Sequence, residues 1–155
     1  MTHTTAEMFD ALVDALIALL AANLEVLGAT AVVEGDELPS YVDPGTIYVV
    51  PLVEGEDEIT FHGGRHEPPQ GDHRFPITVA GFHSHRDISS GLRPTRTHGF
   101  NCLDLLGVQD MVLAGDLGDG TVMGEVYGPR LSAGYMRIGD RVLHFWMLKI
   151  TVETR

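Results

Sequence analysis

Apolar residues recur at helical spacing along the first part of the chain. Phe9, Leu12, Val13, Leu16, Leu20 and Leu24 fall at intervals of three and four, while Asp10 and Asp14 occupy the opposite face. Thr4 and Glu7 stand ahead of them at capping-box spacing. The pattern predicts an amphipathic helix over about residues 5–26, stopped by Gly28. The period then changes. Ala29–Glu34 is a short apolar run suited to a strand, and Thr46–Val53 is β-branched, aromatic and apolar on both faces, as a buried strand requires. Glu58–His62 alternates as a half-exposed strand, and Phe75–Arg86 alternates over a longer span. In that span Ile77, Val79, Gly81, His83 and His85 share one face, with Thr78, Ala80, Phe82 and Ser84 on the other.

Breakers punctuate these runs. Gly35–Pro39, Asp43-Pro44-Gly45 and Glu54–Asp57 carry turn chemistry, and Gly63–Arg74 is a breaker-rich loop. Asp87–Arg96 is polar, contains Gly91 and Pro94, and reads as a long loop. A second helix is expected over Thr97–Ala114, ended by Gly115–Gly120. Val122–Tyr127 is a strand candidate and Gly128-Pro129-Arg130 a turn. Gly139-Asp140 is the turn of a closing hairpin into the long strand Arg141–Glu153, with Val142, His144, Trp146, Leu148, Ile150 and Val152 on one face. The expected fold class is α+β: a mostly antiparallel sheet of four to six strands with two helices packed on one face.

Composition narrows the function. At 155 residues the chain is expected to form a single domain, 1–155. Ten Lys and Arg against 22 Asp and Glu leave a net charge of −12, which disfavours direct binding of nucleic-acid phosphates. Cys102 is the sole cysteine, so no internal disulfide supports the fold. No stretch has the length and apolarity of a membrane span, and no basic leader precedes an apolar core, so a soluble protein is expected.

The candidate chemistry centres on Gly81-Phe82-His83-Ser84-His85. Residues i and i+2 of a strand point the same way, so His83 and His85 could converge on one metal ion. His62, His66, His73, His98, Asp87 and Asp104 are the possible third ligands. The pattern resembles the core of JAMM-type zinc isopeptidases, in which a His-x-His precedes a Ser-x-x-Asp. That resemblance implies a zinc site of His83, His85 and Asp104, with Glu34, Glu37, Glu54 or Glu67 as general base. The chain departs from the family in carrying Asn101 where serine is expected, and in its longer gap from His85 to Asp104. The competing reading places the two histidines on an exposed or interfacial strand face with no metal. Cys102, between Phe100 and Leu105-Leu106, reads as a packing residue and not a nucleophile. Gly115–Gly120 has the wrong context for a phosphate loop and lacks the spacing of a calcium loop.

The layout as a whole resembles the tail terminator (tail completion) proteins of long-tailed phages with non-contractile tails, the class of the lambda tail terminator. The residues that carry it are the N-terminal helix, the acidic turn with Leu38-Pro39, the Ile47–Pro51 strand, the loop bearing Arg93, Arg96 and Thr97 before a helix, Leu117–Val122, Tyr127-Gly128-Pro129-Arg130 and the closing hairpin. The resemblance implies a structural virion protein, without catalytic residues or cofactor, assembled in the host cytoplasm. It would form a ring, expected to be a homohexamer, on the head-proximal end of the tail tube. There it would end tube polymerisation and meet the head-completion or connector protein. Six copies at −12 each would carry −72 together, and an acidic lumen would let DNA pass without binding. Arg86, Arg93, Arg96, His66 and His73 are the expected interface residues. The alternatives are a JAMM-like zinc isopeptidase, another phage neck (head-closure) protein, and a small acidic binding domain.

Overall fold

A computed structural model of the chain describes residues 3–35, 42–53, 57–61 and 73–154. The element order is α1 (Thr5–Ala21), β1 (Ala31–Glu34), β2 (Thr46–Pro51), β3 (Thr60–Phe61), β4 (His73–His85), α2 (Ile88–Val108), β5 (Val112–Asp116), β6 (Thr121–Ile138) and β7 (Arg141–Thr154). None of these helices is long and apolar enough to cross a membrane.

The first helix begins where the pattern places it. Thr4 Oγ1 accepts the Glu7 N–H at 3.1 Å. The reciprocal half of a capping box does not form, because Glu7 engages His3 at 2.8 Å. Ala11, Leu12, Val13, Leu16 and Leu20 make the buried stripe. The helix ends at Ala21, earlier than the apolar spacing predicts. The Asn23 side chain donates to the Leu19 carbonyl at 2.8 Å, a local bond that competes with continued helix. The turns that follow bring Leu27 into the core.

The strands form a seven-stranded sheet in the order β1-β2-β4-β7-β6-β5, with β3 paired to β4. The sheet is mixed and curled, and it has seven strands where four to six were expected. β1 runs parallel to β2, with Val32 opposite Ile47. The other pairings are antiparallel. Both helices pack into the larger apolar cluster, with Ile47, Val49, Phe75, Ile77, Val79, Trp146 and Leu148 from the sheet. Tyr48, Val50, Ala80, Phe82 and Leu143 form a smaller cluster on the alternate strand positions.

Three more boundaries move. Asp87–Arg96 is not a loop: α2 starts at Ile88. Asp87 Oδ1 accepts the Ser90 N–H at 2.8 Å, and Ser90 Oγ accepts the Asp87 N–H at 3.3 Å, a reciprocal cap. The helix continues through Pro94 although that residue offers no N–H to the preceding turn. At its far end it stops at Val108, and Val112–Asp116 is strand β5, not helix; Asp110 and Met111 turn the chain with positive φ. Gly115–Gly120 is accordingly the end of β5 and a tight connection to β6, where Asp116 Oδ1 accepts the Gly118 N–H at 2.7 Å. Gly128-Pro129-Arg130 is a register shift within the continuous strand β6, not a turn between strands.

Two glycines set how closely the layers approach. A Cβ at Gly81 would lie 2.3 Å from Trp146 Nε1, and one at Gly91 would lie 2.3 Å from the His144 ring. Gly81→Ala and Gly91→Ala are therefore expected to destabilise the fold by about 1–3 kcal/mol each, the usual cost of overpacking. Gly107, on α2 with open space around it, is the control. Gly107→Ala is expected to stabilise by up to about 1 kcal/mol. Thermal denaturation of the three variants checks the contrast.

Candidate functional site

The long strand β4 delivers His83 and His85 to the face covered by α2. His83 is only 8% exposed and His144 of β7 only 1%. The register sets His83 directly opposite His144, and Gly81 opposite Trp146. The Trp146 indole N–H donates to His83 Nε2 at 3.2 Å. His98, on α2, packs its ring 4.7 Å from that of His83, and the His85 and His144 rings meet edge to face at 5.0 Å. Four imidazoles thus form one cluster between the second helix and the sheet, with Trp146 at its base.

The tautomers follow from the partners. His144 Nε2 lies 2.9 Å from the Ile88 carbonyl, which can only accept, so the ring proton sits on Nε2. Its Nδ1 is then a bare lone pair, buried and without a hydrogen-bond partner, as are His85 Nε2 and Thr95 Oγ1. His98 Nδ1 approaches the Val26 carbonyl at 3.4 Å, which also accepts from Asn101 at 2.7 Å. Burial, then the neighbouring His98, His85 and His144, push the His83 pKa down to about 4. The His85 pKa is lowered as well, by burial first and then by His144 and His98.

This geometry does not assemble the zinc set suggested by the sequence. His83 Nε2 is occupied by the indole proton, and the His83 and His85 ring centres lie 6.4 Å apart. Asp104 is exposed on α2, whereas Cys102 and Leu106 on either side of it are buried, so it faces away from the cluster. Among the described residues no group of three His, Cys, Asp or Glu could hold a metal ion. Of the candidate bases, Glu34 lies at the end of β1, two strands from β4; Glu37, Glu54 and Glu67 fall outside the described residues, as do His62 and His66. The plain surface reading of His83 needs correction too, because α2 covers the strand face that it shares.

His73 is buried, not a surface contact. It stacks on Phe75 at 6.0 Å, and its N–H donates to Thr154 Oγ1 at 3.0 Å. Arg86, Arg93 and Arg96 are exposed as expected, but two of them stand on helix α2. Arg86 and Arg137 line one open concavity with Leu92 and Asp140; Arg96 lines a second with Thr95, Ala133, Gly134 and His144. Sequence reading named His98 as a possible ligand and placed His144 on a strand face, but it did not join either to His83 and it overlooked Thr95. The signature is the spacing of Gly91, Thr95 and Gly99 at i, i+4 and i+8, which marks a close helix–sheet contact. Cys102 is fully buried, and burial pushes its thiol up to about 12.

No protein-family model matches the chain, and no curated protein matches it.

Two measurements follow. A histidine held neutral in the fold and protonated in the unfolded chain makes stability rise with pH between its two pKa values. Unfolding free energy is therefore expected to fall as pH drops from about 6.5 towards 4, by at most about 1.4 kcal/mol per pH unit for the His83 proton. His83→Gln keeps an acceptor for Trp146 and should flatten that slope in denaturant titrations. Cys102 should stay unreactive towards a thiol reagent in the native state and react at once in denaturant.

Proposed function

We propose that the protein is a structural subunit of a phage tail: a ring on the head-proximal end of the tail tube that ends tube growth and forms the junction with the head connector. The observation that carries this reading is a band of large apolar side chains left in solvent. Leu92 and Phe100 of α2 are about half exposed, at 47% and 49%, and Tyr135 of the adjacent strand β6, on the same sheet face, is exposed too. Such surface is costly for a lone chain and is the normal mark of a protein–protein contact. Three side chains with catalytic potential are, by contrast, occupied in packing. His83 serves the Trp146 indole, His144 serves the Ile88 carbonyl, and Cys102 is sealed in the core.

Charge supports the same reading. Arg86, Arg137 and Arg141 stand where β4, β6 and β7 end together, and Arg93 and Arg96 lie on the adjoining first half of α2. At the other end of the strands Glu7, Asp10, Asp14 and Asp116 surround another concavity. A subunit with one basic and one acidic end suits a stack in which successive components meet end to end. The strong net negative charge suits a ring through which DNA passes without adhering.

Native mass spectrometry of the purified chain is expected to show a metal-free homohexamer. Added to polymerising tail tube protein of the same phage, the chain should shorten the tubes by capping them. A chain that stays monomeric and leaves tube length unchanged would overturn the proposal. One zinc per chain, lost on His83→Ala, would replace it with the hydrolase. Binding to the head connector without any effect on tubes would identify a head-closure protein instead.

A further inference from the structure

The sheet ends in two unpaired strand edges that match one another. On one side, β1 has β2 as its only strand partner among the described residues. On the other, β5 pairs with β6 only from Thr121 to Glu125, so among the described residues the remainder of β6, from Arg130 to Ile138, has β7 as its only strand partner. A free edge presents a row of unpaired N–H and C=O groups and is a template for another strand.

The register places both edges at the same height. Val33 lies opposite Tyr48, Tyr48 opposite Ala80, Ala80 opposite Met147, and Met147 opposite Ser132. One row of residues therefore runs from the middle of β1 to the free half of β6. Strand directions match as well. β6 runs antiparallel to β7, β7 to β4 and β4 to β2, while β1 is parallel to β2; β1 and β6 therefore point in opposite directions. A second copy set beside the first in the same orientation would bring its β1 antiparallel to the free edge of β6, row against row.

We infer that the free edge of β6 takes β1 of a second copy of this chain, so that the sheet runs on from subunit to subunit. The inference rests on the ring proposed above and specifies the contact that builds it. The step from copy to copy keeps the strand direction, so it is a rotation about an axis along the strands. The two contact surfaces differ, which is the heterologous arrangement that generates rings. Side chains agree with this pairing. Beside β6, on the sheet face that α2 covers, the helix carries Leu92 and Phe100 exposed. The incoming strand would meet an apolar flank.

The test is a pair of cysteines, Val33→Cys with Ser132→Cys. Both positions are exposed, and within one chain they are separated by four strand steps, about 19 Å of sheet. A disulfide needs Cα atoms within about 7 Å, so this pair can close only between copies. Mild oxidation of the V33C/S132C chain is expected to give a ladder of covalent oligomers on a non-reducing gel, absent from either single variant. Hydrogen exchange on the unmodified protein is the second readout: amides of residues 131–137 should slow several-fold or more at concentrations where the oligomer forms. An oligomer that shows neither the ladder nor that protection overturns the edge pairing and leaves the ring itself standing. A chain that stays monomeric at every concentration and leaves tube length unchanged overturns both.

Discussion

The contact on which the rest of the structure depends is the one between the α2 backbone and the side chains of β7. Gly91, Thr95 and Gly99 present a face with almost no side-chain bulk, and His144, Trp146 and Leu131 fill the space that this leaves. A second glycine, Gly81, lets the Trp146 indole lie directly against β4. Packing this close leaves no room to slide, so α2 is set in one position over the sheet. The cap at Asp87 starts the helix immediately after β4, which holds the two elements to that geometry.

Much of the molecule's character follows from that contact. Burial of His83 against α2 favours its neutral form, and the Trp146 proton gives it a hydrogen bond that suits a neutral ring. Histidines that could have bound metal are thereby turned into packing groups with a narrow set of partners. The same placement of α2 leaves its outer flank, with Leu92, Arg96 and Phe100, beside the part of β6 that β5 is too short to cover. Length mismatch between β5 and β6 creates the open edge, and the parallel placement of β1 creates its counterpart.

Some elements were legible in the residues alone. The spacing of Leu12, Leu16 and Leu20 marks a helix wherever it is packed, because the period belongs to the backbone. The β-branched run at Ile47–Val50 and the alternation in β4 and β7 are equally local signals, and the Gly139-Asp140 turn joins β6 to β7 as its composition suggests. The second helix was harder to place. Gly91 and Pro94 act as breakers in isolation, and Leu117-Gly118-Asp119-Gly120 reads the same after a helix as between two strands. Gly128-Pro129 could be a turn or a bulge, and only pairing with β7 on both sides decides for the bulge.

The sequence by itself determined the α+β class, the N-terminal helix and its buried stripe, the two long strands that bear histidine, and the net charge of −12. Each of these depends on neighbours along the chain or on totals over it. Tertiary structure alone decided that Gly91 is a packing residue, that His98 and His144 join His83 and His85, that Asp104 faces away, and that β1 and β6 end as open edges at one height. These depend on contacts between residues far apart in the chain, such as Gly91 with His144 and Trp146 with His83. A strand's period says which way a side chain points; what it meets there is settled by the partner that folds over it.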